Sequence, residues 1–232
     1  MSELIYGTNA VKAAIEAQMT IENLYILKDN QEMIKLAKAN NLKFSLLDKE
    51  TMNKKVLNNQ GIIAQIPGFK TYQIEDIIKK NQPSLIVVLD GLEDPHNLGA
   101  ILRTCDAAGV DGIILPKNRS VKLNSTVAKV STGAIFFVKC AEVVNLVATL
   151  KKMKQLGYWI VGAEATETSS DYRSLKYDMP VVLVIGSEGR GISRLVLEQC
   201  DFIVKIPMTG KVNSLNASVS AGILIYEIKK DQ

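Results

Sequence analysis

The sequence predicts an α/β protein in two parts. A small α/β/α domain spans residues 1–66, and a larger domain with a parallel sheet spans 84–232. Three observations carry this reading. Residues 85–89 and 181–185 are unbroken apolar runs, the pattern of strands covered on both faces of a sheet. Strand and helix patterns alternate from residue 84 onward. A charged segment bracketed by Pro67-Gly68 and Pro83 separates this alternation from the opening unit.

In that opening unit, Thr8 or Asn9 can cap a helix through residue 18, with Val11, Ala14 and Ile15 on one face. Residues 24–27 read as a strand and 32–40 as an amphipathic helix stopped by Asn40-Asn41. A short strand over 43–47 precedes the basic, Asn-rich segment Lys54-Lys55-Val56-Leu57-Asn58-Asn59-Gln60, and Gly61 leads into a strand over 62–66. The connector, 67–83, holds a short helical stretch over 74–80. Its composition suits either a hinge or a surface helix packed on the second domain.

From residue 84 the strand over 85–89 is followed by a helix over 97–108, closed by Gly109. A strand over 112–115 stops at Pro116. Asn124 can cap a helix over 125–131, and 135–138 continues as an apolar stretch of strand type. A helix over 143–155, a strand over 158–162 and a polar loop over 166–178 lead to the strong strand at 181–185. A short helix over 193–199, a strand over 202–206 and a terminal helix over 216–229 complete the pattern.

Composition narrows the function without naming it. An apolar fraction of 47% and a charged fraction of 22% suit a soluble globular chain, and no apolar run approaches the roughly 20 residues of a membrane span. Met1-Ser2-Glu3-Leu4 lacks the basic start of a signal peptide. Cys105, Cys140 and Cys200 are widely spaced, and His96 is the single histidine, so a reducing, cytoplasmic setting without metal is expected. The net charge of +4 permits a nucleic-acid partner without requiring one.

Three strand-to-helix turns concentrate polar side chains and glycines: Asp94-Pro95-His96-Asn97, Gly186-Ser187-Glu188-Gly189-Arg190-Gly191, and Asn213-Ser214-Leu215-Asn216-Ala217-Ser218. Ligand sites in open α/β sheets lie at such turns, so the three are expected to converge. The glycine turn has neither dinucleotide nor Walker spacing, and by itself it reads as a ligand loop or as a tight turn. Glu188 can cap a helix or accept hydrogen bonds from a ligand. Arg103 is expected to face the same sheet edge as Asn97, paired either with Glu188 or Asp90 or with a phosphate. His96 serves the turn or acts as a base. Asn216 or Ser214 caps the last helix, with polar groups to spare for a ligand.

Taken together these residues resemble the SpoU family of RNA 2′-O-methyltransferases, of the SPOUT class. One motif is similar to Asp94-Pro95-x-Asn97-Leu98-Gly99-Ala100-Ile101-x-Arg103-Thr104. A second is similar to Leu183-Val184-Ile185-Gly186-Ser187-Glu188-Gly189-x-Gly191. A third is similar to Ile206-Pro207-Met208 with Ser214-Leu215-Asn216-Ala217-Ser218-Val219-Ser220. Tyr6-Gly7-x-x-Ala10-Val11 and Gln60-Gly61-Ile62-Ile63-Ala64 resemble the ribosomal-protein-like substrate domain of some members, which often carry histidine where this chain has Asn59.

The resemblance implies a deep trefoil knot in the C-terminal domain, a homodimer, and S-adenosylmethionine as cofactor. It implies that Gly186, Ile206 and Leu215, with Glu188, Gly189 and Asn216, hold that cofactor. By the same resemblance Arg103 would take the proton of the ribose 2′-hydroxyl, or else bind a phosphate and stabilise the alkoxide. Asn97, Glu188, Ser214 and Asn216 would orient the ribose, Arg103 and the cofactor. The expected substrate is a guanosine of 23S rRNA. The same chemistry on tRNA, or a non-catalytic rRNA-binding or resistance-type module, is the alternative. Lys12, Lys54 and Lys55 read either as phosphate contacts on RNA or as solvated surface.

Overall fold

The computed structural model describes residues 2–79 and 83–232. The chain forms two compact units, Met1–Lys70 with Leu123–Phe137, and Thr71–Lys122 with Val138–Gln232. Residues 123–137, expected within the larger domain, therefore group with the smaller unit.

The first unit is a four-stranded sheet in the order β1-β4-β2-β3, formed by β1 (Glu3–Tyr6), β2 (Asn23–Leu27), β3 (Ser45–Leu47) and β4 (Ile62–Ile66). β4 runs antiparallel to β1 and β2, while β2 and β3 are parallel. Helix α1 (Thr8–Glu16) starts differently from expectation. Neither Thr8 nor Asn9 caps it; Gly7 holds the cap position, and the Thr8 N–H donates to Gln60 Oε1 at 3.0 Å. Asn30 caps α2 (Gln31–Ala39), whose Met33, Ile34 and Ala37 are buried. The basic segment begins inside an unexpected helix, α3 (Lys49–Lys55), capped by Asp48 and anchored by buried Met52. Asn59 is 5% exposed. Its amide donates to Val56 O at 2.7 Å and Asn53 Oδ1 at 3.1 Å, and its oxygen accepts from Gly61 N at 2.9 Å. It shapes the turn into β4.

The second unit holds seven parallel strands in the order β7-β6-β5-β10-β8-β11-β9. They are β5 (Leu85–Asp90), β6 (Gly112–Pro116), β7 (Cys140–Val143), β8 (Trp159–Ala163), β9 (Ser170–Asp171), β10 (Val181–Gly186) and β11 (Phe202–Lys205). The two apolar runs are β5 and β10, neighbours at the centre with Val181 opposite Leu85 and Gly186 opposite Asp90. Their residues 85–89 and 181–185 are almost wholly buried. Each such aliphatic side chain stabilises the fold by about 1.5–3 kcal/mol. Helix α4 (Pro95–Ala108) leads from β5 to β6, and α7 (Arg194–Leu197) leads from β10 to β11. The chain thus leaves the two central strands in opposite directions, which opens a crevice at their carboxyl ends.

Three local expectations shift. Residues 135–138 are not a strand: α5 (Ser125–Val130), capped by Asn124, gives way to a 3-10 turn over Ala134–Phe136, and the strand is β7. Helix α6 is correspondingly shorter at Leu146–Gln155, because Val143 pairs with Pro116 in the sheet. In the connector the helical stretch is a single 3-10 turn, Ile74–Asp76. The Tyr72 N–H donates to Cys140 O at 2.9 Å, and Ile77, 2% exposed, joins the apolar core beside Ile86 and Ile114. This part of the connector packs on the second unit. Lys80, Asn81 and Gln82, with Met1, lie outside the described residues.

Candidate active site

Parallel strands end at one edge, so every polar turn after a strand arrives there. The first turn is fixed by Asp94, which caps α4 by accepting from His96 N at 2.9 Å, with Pro95 at the first helical position. His96 itself is exposed. One residue on, Asn97 is 5% exposed and points inward. Its amide nitrogen donates to Glu188 Oε1 at 2.7 Å. Asn216 completes the triangle, its amide nitrogen donating to Glu188 Oε1 at 2.7 Å and to Asn97 Oδ1 at 3.0 Å. The Asn216 oxygen accepts from Ser218 N at 2.9 Å and so caps α8 (Ala217–Lys230). One side chain both starts a helix and joins the site.

Glu188 stands between two clefts. The larger, of about 710 Å³, is lined by Gly186, Glu188, Gly189, Ile206, Ser214, Leu215 and Asn216, together with Ala163, Glu164 and Met208. The smaller, of about 160 Å³, lies against Gly91, Asp94 and Arg190. Arg190 donates to Glu93 Oε1 at 2.7 Å, linking the turn after β5 to the glycine turn. Asp90 accepts from Ser193 N at 2.7 Å, a second tie between the same turns.

The glycine turn is closed by backbone contact. The Ser187 N–H donates to Gly191 O at 3.1 Å and the Gly191 N–H to Ser187 O at 2.9 Å. A Cβ on Gly186 would lie 2.2 Å from the Gly191 carbonyl carbon, so the turn can double back only on a glycine.

Of the partners expected for Arg103, neither carboxylate is engaged by it, which leaves the phosphate. Six residues at 3.6 per turn rotate Arg103 by about 240° from Asn97, and it is exposed where Asn97 is buried. Glu188 and Asp90 are engaged elsewhere, and among the described residues neither hydrogen bond nor ion pair holds the guanidinium. Ser214 is exposed on the larger cleft.

In the first unit the three lysines each have a partner. Lys12 pairs with Glu32 at 2.5 Å, Lys54 with Glu50 at 2.7 Å, and the Lys55 ammonium lies 4.2 Å from the centre of the Tyr25 ring. Lys129, from the inserted segment, lies 4.8 Å from the Tyr6 ring centre and donates to Asn58 O at 3.0 Å.

Residues 84–226 match the SpoU rRNA Methylase family, and residues 4–72 match a model described as RNA 2′-O ribose methyltransferase substrate binding. The chain belongs to the SpoU rRNA methylase family. Its cofactor is S-adenosylmethionine. A Staphylococcus haemolyticus protein named for the TrmH family of tRNA/rRNA methyltransferases is 48% identical, covering 97% of this chain and 94% of its own. Bacillus subtilis YacO, named for the same family, is 42% identical with the same coverage. An AdoMet-bound rRNA methyltransferase from Sinorhizobium meliloti is 25% identical with a TM-score of 0.84, covering 99% of this chain and 87% of its own. AviRb from Streptomyces viridochromogenes, 23% identical with a TM-score of 0.85, covers 99% of this chain and 89% of its own and shares the SPOUT fold.

The larger cleft suits an S-adenosylmethionine-sized molecule. Its volume falls within the usual range for small-molecule sites of about 300–1,000 Å³, and its floor is a glycine turn with no side chain at Gly186, Gly189 or Gly191. One lining residue had no signal in the sequence. Glu164 follows β8, outside every motif, and its carboxylate belongs to the cleft only because β8 lies beside β10.

Among the described residues, no helix is long and apolar enough to cross a membrane, and no group of three or more His, Cys, Asp or Glu could hold a metal ion.

Proposed function

We propose that this chain methylates a ribose 2′-hydroxyl in structured RNA, and that the acceptor is a guanosine of 23S rRNA. The observation that carries the reading is the Asn97–Glu188–Asn216 triangle, which ties three turns together at the mouth of the larger cleft. S-adenosylmethionine, when bound, supplies a methyl group already activated by the sulfonium. The chain's own residues hold the two reactants in line and keep the acceptor in place.

Main-chain groups at Gly186, Ile206 and Leu215 receive the cofactor, with Glu188, Gly189 and Asn216 beside them. The triangle and Ser214 orient the ribose. A guanidinium stays charged at neutral pH, so Arg103 grips a substrate phosphate and steadies the developing alkoxide, while the 2′-hydroxyl proton passes to solvent water. Its exposure leaves the guanidinium open to an RNA phosphate, and in this reading the chain acts as a homodimer. The reading includes the family's knotted path for the C-terminal segment and a cytoplasmic setting. The first unit selects the RNA, which the match to the substrate-binding model supports. There Lys12, Lys54 and Lys55 exchange their present partners for phosphates, while Asn59 serves the turn.

The test is a map of 2′-O-methylation on rRNA and tRNA from cells with and without the protein. One 23S rRNA guanosine losing its methyl group supports the full reading. Loss at a tRNA position keeps the chemistry and overturns the substrate. No change at any ribose overturns the enzyme reading in favour of a non-catalytic RNA-binding module.

A further inference from the structure

Glu164 is the one cleft carboxylate that the reading above does not use. It follows the last residue of β8, and its main chain is pinned on both sides. Its N–H donates to Val204 O at 3.0 Å, and its carbonyl accepts from Ser169 Oγ at 2.6 Å. The carboxylate leans onto the glycine turn, where Oε2 accepts from Ile192 N at 2.8 Å. A Cβ on Gly191 would lie 2.4 Å from that same oxygen, so the turn and the carboxylate are fitted to each other. Among the described residues Oε1 has no hydrogen-bond partner, and Glu164 lines the cleft with Gly186, Ile206 and Leu215.

A carboxylate accepts hydrogen bonds and cannot donate them while ionised. The free oxygen therefore calls for a donor on the ligand. In dinucleotide-binding sheets, an acidic side chain at the tip of the strand next to the glycine-turn strand takes ribose hydroxyls. β8 stands in that relation to β10, which carries the glycine turn here. The geometry points to Glu164 as a cofactor-positioning residue: Oε2 braces the turn, and Oε1 accepts from the adenosine ribose hydroxyls of S-adenosylmethionine. This rests on the placement of the cofactor in the larger cleft.

Calorimetry on the full chain tests it with S-adenosylhomocysteine and its 2′-deoxy and 3′-deoxy counterparts. In the wild-type chain the deoxy compounds bind about tenfold more weakly, the scale of one lost hydrogen bond to a charged group. Glu164→Gln keeps an oxygen for Ile192 N, binds S-adenosylhomocysteine about tenfold more weakly, and no longer distinguishes the deoxy compounds. A Glu164→Gln chain that binds like wild type, or loses the same factor for all three ligands, overturns the proposal. If that variant does not fold, the wild-type chain decides, and equal affinity for parent and deoxy ligands overturns it. Leu215→Arg separates this from the placement of the cofactor. Undiminished binding by Leu215→Arg overturns the cleft assignment itself. Loss of binding there, beside an unaffected Glu164→Gln chain, overturns only the role of Glu164.

Discussion

Asn97 and Glu188 lie 91 residues apart in sequence, and the amide of one donates to the carboxylate of the other at 2.7 Å. That bond spans the crevice between the turns after β5 and β10. Asn216 donates to the same oxygen, so Glu188 Oε1 is the point where all three polar turns meet. Glu188→Ala leaves the buried Asn97 amide without its acceptor, which costs about 1–3 kcal/mol. The variant should melt several degrees below wild type and lose methyl transfer. A melting temperature equal to wild type would show that the triangle does not hold the turns together.

Arg103 should behave in the opposite way. It is exposed, and among the described residues no hydrogen bond or ion pair depends on it, so Arg103→Ala should change stability by no more than about 0.5 kcal/mol. S-adenosylmethionine affinity should stay near wild type while methyl transfer is abolished. Full activity in this variant would remove Arg103 from the site, and a loss of cofactor affinity would move its role to binding.

At Gly186 the expected defect lies in the shape of the cleft. A methyl group there would meet the Gly191 backbone at 2.2 Å, and relieving such overpacking costs about 1–3 kcal/mol. Gly186→Ala should therefore destabilise the chain and lose the calorimetric signal of S-adenosylmethionine. Wild-type affinity would mean that the turn is not the cofactor's floor.

The cysteines set an alkaline limit. Burial pushes the Cys140 and Cys200 thiols from 9.0 up to about 12, and Cys105 is raised further. The folded state favours the protonated thiols, so their contribution to stability is intact below pH 9 and is lost as pH rises from about 9 toward 12. Urea unfolding at pH 8 and pH 10.5 should show this drop, and Cys140→Ala should show less of it. An equal drop in both chains would free the Cys140 thiol of any part in the alkaline loss.

Most of the second unit was legible because its strands are buried on both faces and read as apolar runs whatever their partners. Residues 85–89 and 181–185 are the clearest cases, and the turns after them carry the site. Errors fall where local pattern and tertiary pairing disagree. The apolar stretch at 135–138 has strand character, yet the residues that pair with β6 begin at Cys140. β1 is four residues long with one fully buried side chain, Ile5, too little for a periodic signal. α3 buries only Met52 and otherwise reads as solvated polar chain.

The site divides the same way. Asn97, Glu188 and Asn216 belong to turns with more polar groups than capping needs, and that excess is visible in sequence. Arg103 is legible as a helical arginine, but six residues do not close a whole number of turns, so its exposure beside a buried Asn97 is not read from the motif alone. Glu164 had no local mark. Its position follows from β8 lying between β10 and β11, a pairing fixed only by the assembled sheet.

The central claim is that this chain places a methyl group on a ribose 2′-hydroxyl. The direct measurement incubates the purified protein with methyl-labelled S-adenosylmethionine and 23S rRNA or tRNA made without modifications, followed by nucleoside mass spectrometry. The account predicts 2′-O-methylguanosine at one 23S rRNA position with the wild-type chain and none with Arg103→Ala. Label on a base, or no label on either RNA despite S-adenosylmethionine binding, would contradict it.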